Sequence, residues 1–234
     1  MIKSAAKYIT FAVLILSLSL SLFSCSDSSP IKKADGEKIT VCLDAGHGVG
    51  DVGAISPFTD ADGNTVYEKD INYSLVLIIK EKLEADGYEV ILPRSADGED
   101  PAAGYDDEGK CKITKRVEYA NANGYDLYIS IHCNSFTDSS VSGTRLYYNK
   151  SNNGSQNQKL ADDFSKSLND IFGKEPKING DADLYAVTAT NMPACLIEIG
   201  FITNESDFEN MMSEAWLQNF AEAVRGGINL YCGK

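Results

Sequence analysis

The chain contains two histidines, and each follows directly on an apolar segment typical of a buried strand. His47 comes after residues 39–46, and His132 comes after residues 125–131. Residues at the carboxyl ends of strands in an open α/β sheet face the crevice where ligands bind. Neutral imidazole is a common metal ligand, above all of zinc. The sequence therefore predicts that His47 and His132 bind one metal ion, Zn²⁺ being the first candidate.

A catalytic zinc site has three protein ligands and an open position, and two histidines with one glutamate form a recurrent set. Glu68 is the candidate for the third ligand, because it begins the helix predicted after the glycine-rich loop at 45–53. A helix that starts after a strand begins at the same rim of the sheet as the carboxyl end of that strand. The spacing also fits a second interpretation, in which Glu68 only interacts with the positive end of the helix dipole.

Glu198 is a carboxylate within the otherwise apolar segment 194–199. Glutamate is seldom fully buried unless it is paired or functional. Burial raises the pKa of a carboxyl group, as a general base and acid working near neutral pH requires. A buried salt bridge to Arg116 or Arg145 fits the same segment equally well.

The rest of the chain alternates short apolar segments with helical periodicity. Helices are predicted over 68–85, 114–123, 156–172 and 216–230, the first capped by Gly87, and strands over 39–43, 88–92, 125–131, 144–148 and 194–199. The acidic stretch 96–110 shows no periodicity and is predicted as a loop. Strands that alternate with helices favour a single α/β domain, with a mostly parallel, twisted sheet and helices on both faces.

Residues 1–24 have the pattern of a bacterial lipoprotein signal peptide: two lysines, a short apolar segment and then Cys25. Cys25 would become the lipidated first residue of the mature chain. Residues 25–38 are polar and are expected to tether the folded domain, 39–234, to the membrane. We therefore expect an extracytoplasmic protein whose only membrane attachment is a lipid on Cys25. Ordinary cleavage nearby and secretion of the protein is the alternative.

The net charge of −13 and the absence of a basic stripe argue against a nucleic-acid partner, because phosphate contacts need clustered lysine and arginine. Cysteines 42, 133 and 195 lie in or beside apolar strands and are expected to be buried thiols. Cys133 adjoins His132, but successive strand residues point to opposite faces, so it is not expected to bind the metal. A disulfide between Cys111 and Cys232 is a further possibility.

Four segments, taken together, resemble the zinc-dependent N-acetylmuramoyl-L-alanine amidases of the amidase 3 family. They are Leu-Asp-Ala-Gly-His-Gly at 43–48, Glu68, Ser-Ile-His-Cys-Asn-Ser at 130–135, and Ile-Glu-Ile-Gly-Phe-Ile-Thr-Asn at 197–204. The resemblance extends from residue 39 to the carboxyl end. Three positions depart from the family pattern, without loss of a ligand: Ala45 replaces a usual proline, Val49 a frequent glycine, and Thr188 a common basic residue.

The resemblance implies a catalytic domain over 39–234 that acts on peptidoglycan, with zinc held by His47, Glu68 and His132. Glu198 would be the catalytic carboxylate. Some family members carry an extra helical segment that plugs the zinc site. Here we expect one strand, one helix and loops over 135–193, and therefore an open groove. We also expect a monomer. The alternatives are a zinc peptidase or deacetylase acting on another cell-wall bond, and a wall-binding module without catalysis.

Overall fold

The computed structural model describes residues 31, 33–95 and 105–234. These residues contain eight strands and six helices. The strands are β1 (Thr40–Ala45), β2 (Ile55–Thr59), β3 (Thr65–Tyr67), β4 (Glu89–Ile91), β5 (Leu127–Asn134), β6 (Arg145–Tyr147), β7 (Lys177–Asn179) and β8 (Ala194–Phe201). The helices are α1 (Glu68–Ala85), α2 (Ile113–Asn123), α3 (Gly154–Phe172), α4 (Tyr185–Thr188), α5 (Glu205–Met211) and α6 (Glu214–Cys232).

The main sheet has the strand order β4-β1-β5-β8-β6-β7. The first four strands in this order are mutually parallel, β6 runs antiparallel to β8, and β7 is parallel to β6. Strands β2 and β3 form a separate antiparallel pair. The predicted single α/β domain with a mostly parallel sheet is therefore confirmed.

Helices cover both faces of this sheet, as predicted, because side chains along each central strand alternate between two cores. In β5, Leu127, Ile129 and Ile131 belong to the larger core, which α1, α3 and α6 complete. Tyr128 faces the opposite way, into a smaller core formed with α2 and α4. The same alternation places His132 and Glu198 on the face that α2 and α4 cover.

The predicted elements occur at nearly the predicted positions, with α1 spanning 68–85 as expected. Its C-cap is Asp86, and Gly87 follows with a φ of +85°, a conformation that glycine adopts without strain. Strands β5 and β8 run further than predicted, so that His132 lies inside β5. Sequence periodicity missed the pair β2–β3 and the short elements β7, α4 and α5.

One expectation from the sequence was wrong, and one possibility that the sequence left open does not occur. The span 135–193 holds two strands and two helices, β6, α3, β7 and α4, because it folds back to extend the sheet edge. Cys111 and Cys232 are both free thiols. The thiol of Cys111 lies 3.2 Å from the carbonyl oxygen of His47, whereas Cys232 ends α6 and belongs to the larger core.

The predicted signal peptide, Cys25 and most of the acidic loop lie outside the described residues. Among the helices of the described ranges, none combines the length and the apolar character needed to cross a bilayer.

A buried ion pair links β1 to α2 directly beneath the rim where the histidines lie. Arg116 Nε donates to Asp44 Oδ1 at 2.5 Å, while the hydroxyls of Tyr128 and Ser130 donate to Asp44 Oδ2, each at 2.8 Å. Burial works to raise the pKa of Asp44, but Arg116 and these hydrogen bonds outweigh it and lower the pKa below its ordinary value. Asp44 is therefore charged in the folded protein and stabilises it.

Replacing Asp44 with asparagine should lower the free energy of unfolding by about 3 kcal/mol at neutral pH, because it leaves Arg116 buried without a counter-charge. A folded-state pKa below the unfolded value of about 3.9 means that the stabilisation is present above that pH and fades as pH falls further. Urea unfolding of Asp44→Asn and the parent protein should therefore converge in acid.

The matched control is Asp62→Asn, which changes an exposed carboxylate and should stay within ~0.5 kcal/mol of the parent protein. A loss at Asp44 no larger than that of this control would contradict the assigned role.

Candidate active site

The structure brings His47, Glu68 and His132 together. One ligand atom from each side chain lies within 4.8 Å of the other two, and these residues form the one such cluster found among the described residues. The parallel pairing of β1 and β5, with Ala45 opposite Ile131, brings the ends of both strands to one rim. Helix α1 begins at the same rim with Glu68. The predicted convergence of the three side chains is thus what the fold produces.

Glu68 lies between the two imidazoles. Its Oε1 is 3.2 Å from His47 Nε2 and 3.0 Å from His132 Nδ1, and its side chain is 5% exposed. The backbone amides of Ala54 and Cys133 donate to Oε2 and Oε1 at 2.8 and 3.1 Å. Burial opposes ionisation, but the hydrogen bonds with both histidines lower the pKa of Glu68 well below its ordinary value. Glu68 is therefore an ionised carboxylate that faces both histidines. These contacts are additional to any interaction of Glu68 with the helix dipole.

His47 adopts a φ of +65°, an uncommon conformation for a residue other than glycine. Its Nδ1 lies 2.9 Å from Asp51 Oδ2, which leaves Nε2 directed at Glu68. Burial works against protonation, yet Glu68 and Asp51 raise the pKa of His47 above its ordinary value. A carboxylate on the second ring nitrogen is the arrangement that orients metal-binding histidines. Asp51 was missed from the sequence, although a lone acidic residue in the glycine-rich loop is a usable signal.

Two glycines allow the cluster to pack this closely. A Cβ atom at Gly46 would lie 2.2 Å from Cε1 of His132. A Cβ at Gly53, whose φ is +69°, would lie 2.6 Å from Glu68 Oε2 and 2.7 Å from His47 Cδ2. Any larger residue at either position would displace the side chains of the cluster.

Glu198 lies beside the cluster on the next strand. It is directly opposite His132 in the parallel pairing of β5 and β8, and its Oε2 is buried with no hydrogen-bond partner. Burial raises the pKa of Glu198 to about 7, and the nearby His132 only partly opposes this effect. A carboxyl group with this pKa can both accept and donate a proton near neutral pH.

The salt-bridge interpretation of Glu198 does not match the structure. Arg116 forms its ion pair with Asp44 instead. Arg145 lies opposite Glu198 in β6, but no ion pair joins them in the part of the chain that the structure describes. Leaving a mostly buried carboxylate unpaired costs stability, so the arrangement indicates a function for Glu198 rather than a role in folding.

An open groove of about 660 Å³ adjoins the cluster. Its lining includes Ala54, whose amide donates to Glu68, together with Ile55 and residues 135–137, which follow β5. The side chains of His47 and His132 are 24% and 15% exposed, so a ligand can reach them from solvent. The geometry offers two imidazoles, one carboxylate and a separate proton acceptor close to a groove that Ala54 lines.

Comparison with known proteins places the chain in a family. Residues 41–230 match the amidase 3 family, which is described as N-acetylmuramoyl-L-alanine amidase. The chain belongs to this family. The prediction of a hydrolytic enzyme of the amidase class is therefore confirmed.

Relatives of this amidase match it over most of its length. The protein YqiI of Bacillus subtilis (strain 168) is 34% identical over 215 residues, 92% of this chain and 93% of that protein. The germination-specific N-acetylmuramoyl-L-alanine amidase of the same organism is 28% identical, over 98% of this chain and 96% of that protein. The catalytic domain of the amidase CwlV from Bacillus (Paenibacillus) polymyxa var. colistinus superposes with a TM-score of 0.69 at 27% identity, over 84% of this chain and 99% of that one.

Replacing Asp51 with asparagine should weaken metal binding by this amidase about 10- to 100-fold, because His47 loses the carboxylate that orients its ring. Metal titration of the metal-free protein measures this directly. Asp62→Asn, which removes an exposed charge outside the cluster, should bind metal as tightly as the parent. Equal affinities for Asp51→Asn and Asp62→Asn would show that Asp51 does not support His47.

Proposed function

We propose that this amidase hydrolyses the amide bond between N-acetylmuramic acid and L-alanine of peptidoglycan, using Zn²⁺ and Glu198. The observation that carries the proposal is the position of Glu198, opposite His132 with a buried and unpartnered oxygen, beside the cluster of His47, Glu68 and His132. Membership of the amidase family supports the choice of bond.

The donor set of the cluster fits zinc. Two imidazoles and one carboxylate are a recurrent ligand set for catalytic zinc, and Glu68 is already ionised. When bound there, zinc would supply a Lewis acid for the scissile carbonyl and lower the pKa of water in its open position. Asp51 would keep His47 oriented, and the glycines at 46 and 53 would leave the ligand atoms room to approach each other.

Glu198 performs both proton transfers in the proposed reaction. Its carboxylate accepts a proton from the attacking water as the water oxygen forms a bond to the lactyl carbonyl carbon. The protonated Glu198 then donates that proton to the alanine nitrogen as the carbon–nitrogen bond breaks. The products are a lactyl carboxylate on the glycan and a free amino group on the stem peptide. A single carboxyl group can serve as base and then acid because its pKa lies near neutral pH.

The remaining parts of the proposal concern location. Peptidoglycan lies outside the cytoplasm, and the pattern of residues 1–25 supports export and a lipid on Cys25. The polar residues 25–38 would then give a monomeric catalytic domain reach from the membrane to the wall.

Removing the metal should abolish cleavage, and adding zinc back should restore it. Purified wall digested with the protein, the chelated protein and the zinc-reloaded protein is analysed by mass spectrometry. The expected products are intact glycan strands and stem peptides with a free L-alanine amino group. Products cut at another bond would favour a wall peptidase or deacetylase, and full activity of verifiably metal-free protein would contradict the metal requirement.

Replacing Glu198 with glutamine should lower the turnover number about 10²- to 10⁴-fold, because the amide cannot accept or return a proton. Metal content should be unchanged, since Glu198 does not belong to the ligand cluster. The control is Glu205→Gln, an exposed carboxylate at the start of α5, which should remain fully active. A turnover number of Glu198→Gln close to that of the parent would contradict the proposed role of Glu198 in proton transfer.

A further inference from the structure

Arg145 lies in the same cross-strand row of residues as Glu198, the proposed catalytic carboxylate. Because β6 is antiparallel to β8, Arg145 lies directly opposite Glu198, and Glu198 in turn lies opposite His132 on β5. Residues paired across neighbouring strands project to the same face of a sheet. His132, Glu198 and Arg145 therefore form a continuous line that runs from the metal-ligand cluster towards the edge of the sheet.

Arg145 differs from the other three arginines of the chain. Arg94 donates to backbone carbonyls, Arg116 to Asp44, and Arg225 to Asp86 and Glu222. Arg145 has no ion pair in the described residues, and its Nε is buried without a hydrogen-bond partner. A buried guanidinium donor without a partner is costly and uncommon in a folded protein.

The ring of Phe201 packs against this side chain. The guanidinium carbon of Arg145 lies 4.8 Å from the centre of the Phe201 ring. Such a contact is attractive, yet it uses none of the guanidinium N–H donors. Arg145 thus places a positive charge opposite Glu198, with no hydrogen-bond acceptor for it among the described residues, in a protein whose net charge is −13.

We propose that Arg145 binds a carboxylate of the substrate, on the stem-peptide residue that directly follows L-alanine. Guanidinium groups match carboxylates in charge and in planar geometry. This inference rests on the proposed function, because the scissile amide there uses the only carboxyl group of N-acetylmuramic acid. An anion for Arg145 must consequently come from the peptide side of the bond.

The spacing of the sheet supports this assignment. Neighbouring strands lie about 4.8 Å apart, so Arg145 is about 5 Å from Glu198 and about 10 Å from His132 in the backbone. An extended peptide advances roughly 3.4 Å per residue. With the leaving nitrogen at Glu198, the side chain of the next residue after alanine comes within reach of Arg145.

The experiment uses two muramyl-peptide substrates that differ only in a carboxylate or a carboxamide on the residue after L-alanine. The zinc-loaded parent protein should cleave the carboxylate substrate with a kcat/KM about 10- to 100-fold higher, as expected for a hydrogen bond between charged groups. Arg145→Gln should lose this preference, mainly through a higher KM, and should cleave the carboxamide substrate about as well as the parent does. Arg145→Lys should keep part of the preference.

Lys177→Gln is the matched control. Lys177 is the next residue of the row, opposite Arg145 on β7, and is exposed, so the variant removes the same charge from the neighbouring strand. It should retain the parental preference. A loss equal to that of Arg145→Gln would indicate general electrostatic attraction and overturn the assigned site.

Two other outcomes would also overturn it: equal kcat/KM of the parent on both substrates, or an equal loss on both in Arg145→Gln. The first needs no variant, so the proposal stays testable even if Arg145→Gln does not fold. Failure of the proposed function looks different, because the parent would then leave the bond to L-alanine intact in both substrates.

Discussion

The parallel register of β1, β5 and β8 is the constraint on which the site depends. Pairing of Ala45 with Ile131 and of His132 with Glu198 sets which side chains meet at the carboxyl rim and which face they occupy. Because side chains alternate along a strand, a slip of one residue in β5 would send His132 into the larger core and bring a core residue to the rim. The buried residues of both cores therefore determine the positions of the side chains at the rim as well as the stability of the fold.

Two glutamates within this site have opposite pKa shifts, and the difference follows from their neighbours. Glu68 accepts hydrogen bonds from two amides and faces two imidazoles, so its pKa is lowered despite burial. Glu198 has a buried oxygen with no partner, so burial dominates and raises its pKa to about 7. The first environment stabilises an anion, which suits the proposed metal ligand, and the second allows the carboxyl group to gain and lose a proton, which suits the proposed proton transfers. The division of roles between the two carboxylates is thus set by solvation and hydrogen bonding.

Local patterns predicted the elements and the side chains that depend on sequence neighbours alone. The periodicity of α1 and the apolar segments before His47 and His132 placed three candidate ligands at one rim, and the structure brings them together. Other contacts between distant segments were not predicted. Strands β2 and β3 are too short, at five and three residues, to show a clear period, and the contact of Asp51 with His47 depends on a loop with an unusual φ at His47. The possible disulfide failed for the same reason, since spacing in sequence carries no information on the distance between two thiols.

The edge of the sheet shows how pairing between distant segments decides which arginine lies opposite Glu198. Arg116 and Arg145 were equivalent candidates for pairing with Glu198 when only the sequence was considered. Arg116 instead meets Asp44 in the interior, which satisfies its charge and stabilises the fold. Arg145 lies on β6, which is antiparallel to β8. It is opposite Glu198 but forms no ion pair with it. The parallel strands β5 and β8 carry His132 and Glu198, whereas Arg145 lies on the antiparallel strand β6. The proposed carboxylate contact of Arg145 is thus added to the site from a strand outside the parallel part of the sheet.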